Sequence, residues 1–526
     1  MTDIHKDDLV KEVVIIGGGT AGWLTACHLA KKHGSNTPQG LRVTLIESPN
    51  IPTIGVGEGT VPSILESLRY FGISETDIIR ECDATFKQSI KFVNWMKPKG
   101  NSHNNYYHHP FDYIDSNQFD LTPYWLNGQF EGHSYTDTIG IQSYVSDLHL
   151  APKLMTHEEY AGINGYAYHL DAAKFSQLLT RHAVEKLGVK HVLAEVKDIR
   201  LTDCGAIDSV VTDNQGEFFA DLFVDCTGFS SLLLGQTLGV NFISKNDVLF
   251  ADHALAIQVP YTDPNQTIPS YTISTAQEAG WIWDIGLSER RGTGYVYSEK
   301  YSSHARAEQV FRDYLRQSIG DKVDELPCRR IEMNVGYREK FWVKNCVAIG
   351  LSQGFVEPLE ATGLLIFDDT AKMLAELLPS KMSTMPIIAE RFNKSGRYQW
   401  DRVIDFIKLH YYLSDRDDTP FWRDNRSQES TPQKLLDNLA LWRERPPSDY
   451  DFITKQEVFY RTNYLYVLYG MAFNTDISAI AYRYTEQGKA EQKHSLILQQ
   501  KAKVQGMLLP HRELLQRIKQ YGLQKI

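Results

Sequence analysis

Three glycines spaced as Gly17, Gly19 and Gly22 are the first residues in the chain whose type and spacing could do chemistry. They follow a β-branched apolar run, Val13 to Ile16, that reads as a buried parallel strand, and they open a helical stretch reaching about Lys32. A second strand from Arg42 ends in an acid, Glu47. In this order Gly17 allows a tight turn, Gly19 lets the backbone approach a pyrophosphate, and Gly22 lets helix and strand pack closely. Thr20 and Ala21 lie in the turn, and the helix expected from Trp23 onward offers unpaired N–H groups and a partial positive charge that suit phosphates. Glu47 stands where a carboxylate accepts hydrogen bonds from the ribose hydroxyls of an adenosine. The pattern predicts dinucleotide binding.

The elements that must hold this turn recur much later. Ala220 to Gly228 is an apolar strand closing on small residues, and Asn345 to Gly350 is a strand ending in glycine, followed by Leu351 to Gly363. Both are similar to the strands by which FAD-dependent oxygenases return to the flavin, which points to FAD and away from NAD. The expected fold is α/β: an FAD-binding, Rossmann-like domain of the FAD-dependent monooxygenase type with an added, mainly helical substrate module. The FAD-binding and catalytic domain, with inserted sheet segments, is placed at 1–370. The helical module is placed at 371–526, a stretch rich in helix formers, Tyr and Trp with turns at Pro420, Pro432 and Pro446-Pro447.

Composition sets outer limits. A net charge of −10 argues against a nucleic-acid partner. No apolar run is long enough for a membrane helix, and the polar start, Met1 to Glu12, has no signal-peptide core, so a cytoplasmic protein is expected. Six cysteines without a CxxC pair suggest neither a metal site nor a disulfide framework.

Four further segments, in the right order, carry a resemblance. They are Gly17 to Trp23, Gly55-Val56-Gly57-Glu58-Gly59-Thr60-Val61-Pro62, Phe86-Lys87-Gln88-Ser89-Ile90-Lys91-Phe92, and Phe355 to Gly363 (FVEPLEATG). From about residue 10 to past residue 470 the chain resembles the flavin-dependent tryptophan halogenases. The resemblance implies that reduced FAD and oxygen convert a bound chloride or bromide into hypohalous acid, which a lysine delivers to an aromatic substrate. It assigns that lysine to Lys87 and a second catalytic group to Glu360. It also places flavin contacts at Gly57, Glu58 and Leu351, and halide contacts at the backbone N–H groups of Thr362 and Gly363, where a loop turns into a helix.

Taken by itself, Phe86 to Trp95 reads as one strand with Lys87, Ser89 and Lys91 on a solvated face. The resemblance reverses this for Lys87 only, and desolvation in a closed pocket would suit its chemistry by lowering its pKa. Glu357, beside Pro358, reads as a carboxylate at a helix N-terminus. The family's GWxWxIP signature is present as Gly280-Trp281-Ile282-Trp283-Asp284-Ile285-Gly286, with both tryptophans kept and glycine in place of proline, a change expected to loosen the turn.

The resemblance places His109, Phe111, Phe459 and Tyr460 around the aromatic substrate. Four residues before Phe459-Tyr460 the family carries the glutamate that holds the ammonium of tryptophan, and this chain has Lys455, with Glu457 two residues on. A lysine there would repel an ammonium, so an indole derivative without one is the expected substrate, with free tryptophan the lesser alternative. The competing functions are a flavin monooxygenase that hydroxylates its substrate and a non-catalytic flavoprotein. A separate flavin reductase is expected to supply FADH2, and a homodimer is an open possibility.

Overall fold

The computed structural model describes residues 8–51, 57–98, 105–114, 119–452 and 454–525. Gly55 and Val56 of the second motif lie outside them.

Five strands in the order Cys346–Ala348, Leu222–Asp225, Glu12–Ile16, Arg42–Glu47 and Lys190–Leu193 run parallel, with Trp342–Val343 added antiparallel at one edge. The unbroken apolar run Val13 to Ile16 fits a central strand covered on both faces. Val13 and Ile15 enter one core while Val14 and Ile16 enter another on the opposite face. The glycine turn follows directly. Gly17 sits at φ +113°, and a Cβ there would lie 2.2 Å from the Cys226 carbonyl oxygen. A Cβ on Gly22 would lie 2.0 Å from the oxygen of Gly17, so helix Thr20–His33 can start only over a bare backbone.

A second sheet of seven strands stands beside the first, running through Arg290–Tyr297, Gly280–Gly286, Tyr271–Gln277, Ser89–Val93 and Tyr106–Pro110. Three short strands, Glu58–Gly59, Ala167–Leu170 and Thr85–Lys87, form a small third sheet. The segment expected as a single strand from Phe86 to Trp95 is therefore two. Thr85–Lys87 pairs with Ala167–Leu170, whereas Ser89–Val93 pairs with Tyr271–Gln277 and Tyr106–Pro110. The break is at Gln88, whose backbone N–H is taken by the Ser270 carbonyl and whose side-chain amide donates to Leu150 O and Ser270 Oγ. Lys87 and Lys91 thus do not share a face. Lys87 is completely buried, while Lys91 keeps 16% of its side chain exposed, bonded to Asp147 at 2.6 Å and 3.6 Å from the centre of the Tyr106 ring.

Beyond residue 371 no named strand occurs among the described residues. Helices Met385–Leu413, Arg461–Gly470 and His511–Tyr521 share one hydrophobic core with the sheets, joining Leu45 and Phe86 to Phe406, Leu465 and Leu515. The segment 454–460, treated above as part of a helical region, is an irregular loop that ends where Arg461–Gly470 begins.

His511 shows how the C-terminal helix serves the centre. Its Nε2 accepts the Phe86 N–H at 2.9 Å, and its Nδ1 donates to the Ile268 carbonyl at 3.0 Å. Burial first, and nearby Arg512, hold this imidazole down at about 4, so it is neutral when folded. Between pH ~4 and the ordinary histidine value of ~6.5 the unfolded chain binds the extra proton, so this contribution grows as pH rises through the window and is complete above it. Wild type should gain roughly 3 kcal/mol more than His511→Asn between pH 4 and 7. Denaturant midpoints at both pH values measure the difference, and equal gains would show that His511 is not the linked group.

Candidate functional site

Two cavities flank Lys87 and Glu360, one with Lys87 in its wall and the other with Glu360 in its wall. The first, about 230 Å³, is lined by Gly57, Glu58, Trp281, Trp283, Leu351 and Gly363 among others, with Lys87 in its wall. Trp281 and Trp283 are alternate residues of strand Gly280–Gly286 and so share a face. The Trp281 indole N–H donates to Glu357 at 2.6 Å, and the Tyr411 hydroxyl donates to the same oxygen at 2.6 Å. Glu357 is accordingly no helix-end carboxylate: helix Thr362–Leu377 starts five residues later, and burial pushes the Glu357 carboxyl up to about 7.

Two unsatisfied groups lie in the wall of this cavity or next to residues that line it. Glu58 has a buried carboxyl oxygen with no partner, and burial followed by the Asp171 charge raises it to about 7. The hydroxyl of Thr362 is also buried without a partner. Ala361 takes a left-handed conformation (φ 56°) just before the helix, leaving Thr362 and Gly363 as its first two residues, with open space around the Gly363 Cα. First-turn N–H groups of this kind suit a small anion. At the glycine turn, Gly19 faces open space and Glu47 lies against Gly18 while bonding His191 at 2.9 Å. These residues could hold a dinucleotide at the turn and a small anion at the start of helix Thr362–Leu377.

The second cavity, about 190 Å³, is lined by His109, Phe111, Glu360, Phe459, Tyr460 and Asn463, with Lys455 and Glu457 also in its wall. All four residues assigned above to an aromatic substrate thus share one chamber with Glu360. Phe459 is buried and stacked on Phe406 at 3.9 Å, while Tyr460 is partly exposed.

Between the cavities, the Lys87 Nζ donates to the Thr60 carbonyl at 3.0 Å and lies 5.1 Å from the centre of the Phe111 ring. Burial draws this amine down to about 7, and the charge of Glu360 works in the opposite sense. Glu360 is also fully buried. Burial by itself would raise its pKa, but the hydrogen bonds of His109 first and then His410 outweigh it and hold the carboxyl below the usual carboxylate range. His109 Nδ1 lies 2.9 Å from both carboxyl oxygens, and His410 Nε2 lies 2.8 Å from one of them. Neither His410 nor Asn463, which bonds His109, was singled out in the sequence. His410 sits inside the 29-residue helix Met385–Leu413, whose pattern carries no local mark of function.

The glycine at the end of the tryptophan signature does not loosen the structure. Gly286 is paired with Arg291 inside the sheet, and its carbonyl accepts the Thr85 hydroxyl at 2.5 Å. A Cβ at this position would come within 2.7 Å of Ile268 and 3.1 Å of the Tyr261 hydroxyl, so neighbouring packing excludes a larger residue.

The mixed α/β architecture is that of the flavin-dependent halogenases. The structure of tryptophan halogenase from Shewanella frigidimarina superposes with a TM-score of 0.94 at 44% identity, covering 98% of this chain and 99% of that one. Xcc4156, a flavin-dependent halogenase from Xanthomonas campestris, gives 0.86 at 31% identity over 98% and 99%. Tryptophan 6-halogenase SttH of Streptomyces toxytricini is 37% identical over 457 residues, 83% of this chain and 84% of that protein. The family profile "Tryptophan halogenase" matches residues 12–484. This chain belongs to the tryptophan halogenase family, and it is an enzyme of the oxidoreductase class.

Restoring the family's proline by Gly286→Pro should destabilise the protein by roughly 1–3 kcal/mol, the usual cost of overpacking a filled interior. Chemical denaturation reads this directly, and an unchanged or raised midpoint would contradict the steric account.

Proposed function

We propose that this enzyme halogenates an electron-rich aromatic ring, an indole derivative without a free ammonium group, using FADH2 from a separate flavin reductase and chloride or bromide. The observation that carries this is Lys87, a fully buried lysine in the wall of one cavity and against Phe111 of the other. Reduced FAD, when bound along the glycine turn and the tryptophan-lined cavity, supplies with oxygen the oxidation of halide to hypohalous acid.

The chain's own residues do the rest. The Thr362 and Gly363 N–H groups hold the halide at the helix N-terminus. Lys87, drawn to about 7 by burial, is present at neutral pH as both ammonium and free amine, so it can hold the electrophile by hydrogen bond or as a haloamine. Glu360, held ionised in the substrate chamber, is placed to take the proton that the ring loses on substitution. Tryptophans 281 and 283 line the cavity on the cofactor side, so the substrate chamber is left to His109, Phe111, Phe459 and Tyr460.

The substrate's charge follows from the 454–460 loop. Glu457 is buried and accepts a hydrogen bond from the Tyr398 hydroxyl, whereas Lys455 is exposed at the cavity. The cation, and not the committed carboxylate, faces what enters.

Two measurements check this. Purified enzyme with FAD, reductase, NADH, halide and an indole panel should give halogen isotope patterns by mass spectrometry that vanish in Lys87→Ala. Hydroxylated product, or halogenation undiminished in the variant, would favour monooxygenase chemistry. Lys455→Glu should raise kcat/KM for tryptophan relative to indole by roughly 5- to 30-fold, from exchanging a repulsion of about 1 kcal/mol for an attraction of similar size. An unchanged ratio would remove Lys455 from substrate selection.

A further inference from the structure

Hydrogen-bond bookkeeping around Glu360 locates a proton. The Tyr460 backbone N–H donates to Asn463 Oδ1 at 2.8 Å, in the cap of helix Arg461–Gly470. This fixes the amide so that Asn463 Nδ2 donates to His109 Nε2 at 3.1 Å. His109 therefore carries its hydrogen on Nδ1, donates it to Glu360, and is neutral. His410 is different. Its Nδ1 lies 2.9 Å from the Phe406 carbonyl, which can only accept, so Nδ1 carries a hydrogen. Its Nε2 lies 2.8 Å from Glu360 Oε1, so a neutral ring would oppose its lone pair to those of a carboxylate. One more proton must lie between them.

We propose that His410 holds that proton as an imidazolium, making it the counter-charge and positioning residue of Glu360. His410 is completely buried, with Phe92 at 4.9 Å and Phe406 at 5.3 Å between ring centres, so no water can replace its charge. The other titratable groups facing Glu360 are neutral His109, Lys87 and Tyr107, whose phenol burial and Glu360 hold far above its usual range. Lys87 is too strongly desolvated to serve as a permanent counter-ion. A carboxylate in such surroundings stays ionised only beside a fixed charge. His410 thus keeps Glu360 ready to accept a proton without touching the substrate.

This rests on the proposed halogenation, and the tests separate the two. In the substrate-free enzyme, ¹⁵N-histidine spectra at neutral pH should show one imidazolium that is absent from His410→Gln. A neutral, singly protonated His410 at pH 7 would overturn the proposal whatever the enzyme's reaction. In turnover, His410→Phe and His410→Gln should lower kcat for ring halogenation by roughly tenfold or more. KM should change little, and halide-dependent trapping of hypohalous acid by a diffusible thioether should persist. The acid limb of kcat should move up by roughly 1–3 pH units in both variants. His410→Gln keeps a neutral donor, so a wild-type acid limb there would reduce His410 to a hydrogen-bonding role and overturn the proposal. Wild type that makes no halogenated product would instead refute the function while leaving the spectroscopic result standing.

Discussion

Glu360 is a carboxylate only 2% exposed, and much of the surrounding structure is arranged to keep it ionised. Moving such a group from water into a protein interior costs several kcal/mol unless hydrogen bonds and charge replace its hydration. Two ring N–H groups do so here, from His109 on strand Tyr106–Pro110 and His410 on helix Met385–Leu413. Because these donors come from different elements, the site exists only when the second sheet and the C-terminal helices are packed together. The single core running through both is the form that requirement takes.

Lys87 poses the opposite problem and receives the opposite solution. It has a neutral carbonyl for a hydrogen-bond partner, an aromatic ring nearby, and Glu360 acting only through space. The shortage of compensation draws its pKa towards neutrality, while Glu360 is driven the other way by its histidines. Two buried groups whose environments push them in set directions are the usual basis for distinct acid and base roles at one pH. The break at Gln88 makes this possible. Without it Lys87 would share the face of Lys91, which reaches solvent at its edge and is paired to Asp147.

The contrast explains what the sequence could disclose. The turn at Gly17 to Gly22 was legible because strand, turn and helix follow one another directly, and a Cβ at Gly22 would strike the oxygen of Gly17 within the turn itself. The helix start at Thr362 was legible for the same reason, with the loop before it spelled out by Pro358 and the small residues 361–363. The burial of Lys87 was hidden, since alternation along Phe86 to Trp95 assumes one continuous strand, and the interruption depends on Ser270 and Leu150, far away in the chain. The burial of Glu357 was missed because its partners, Trp281 and Tyr411, lie 76 and 54 residues distant. Only the family resemblance brought Lys87 and Glu360 forward. It could not bring forward His410, which no motif marks.

The helical part of the chain therefore does more than cover the substrate. Asn463 and Tyr460 form the cap of helix Arg461–Gly470, a purely local device for satisfying end groups. The same amide continues to His109, so the cap dictates a tautomer, and the tautomer dictates that His109 gives Glu360 a hydrogen without a charge. His410 receives its instruction from its own helix, through the Phe406 carbonyl one turn back. Phe406 in turn stacks on Phe459 in the wall of the substrate chamber. Phe406 thus serves both neighbours, its ring backing Phe459 in the chamber wall and its backbone carbonyl fixing the hydrogen on His410 Nδ1.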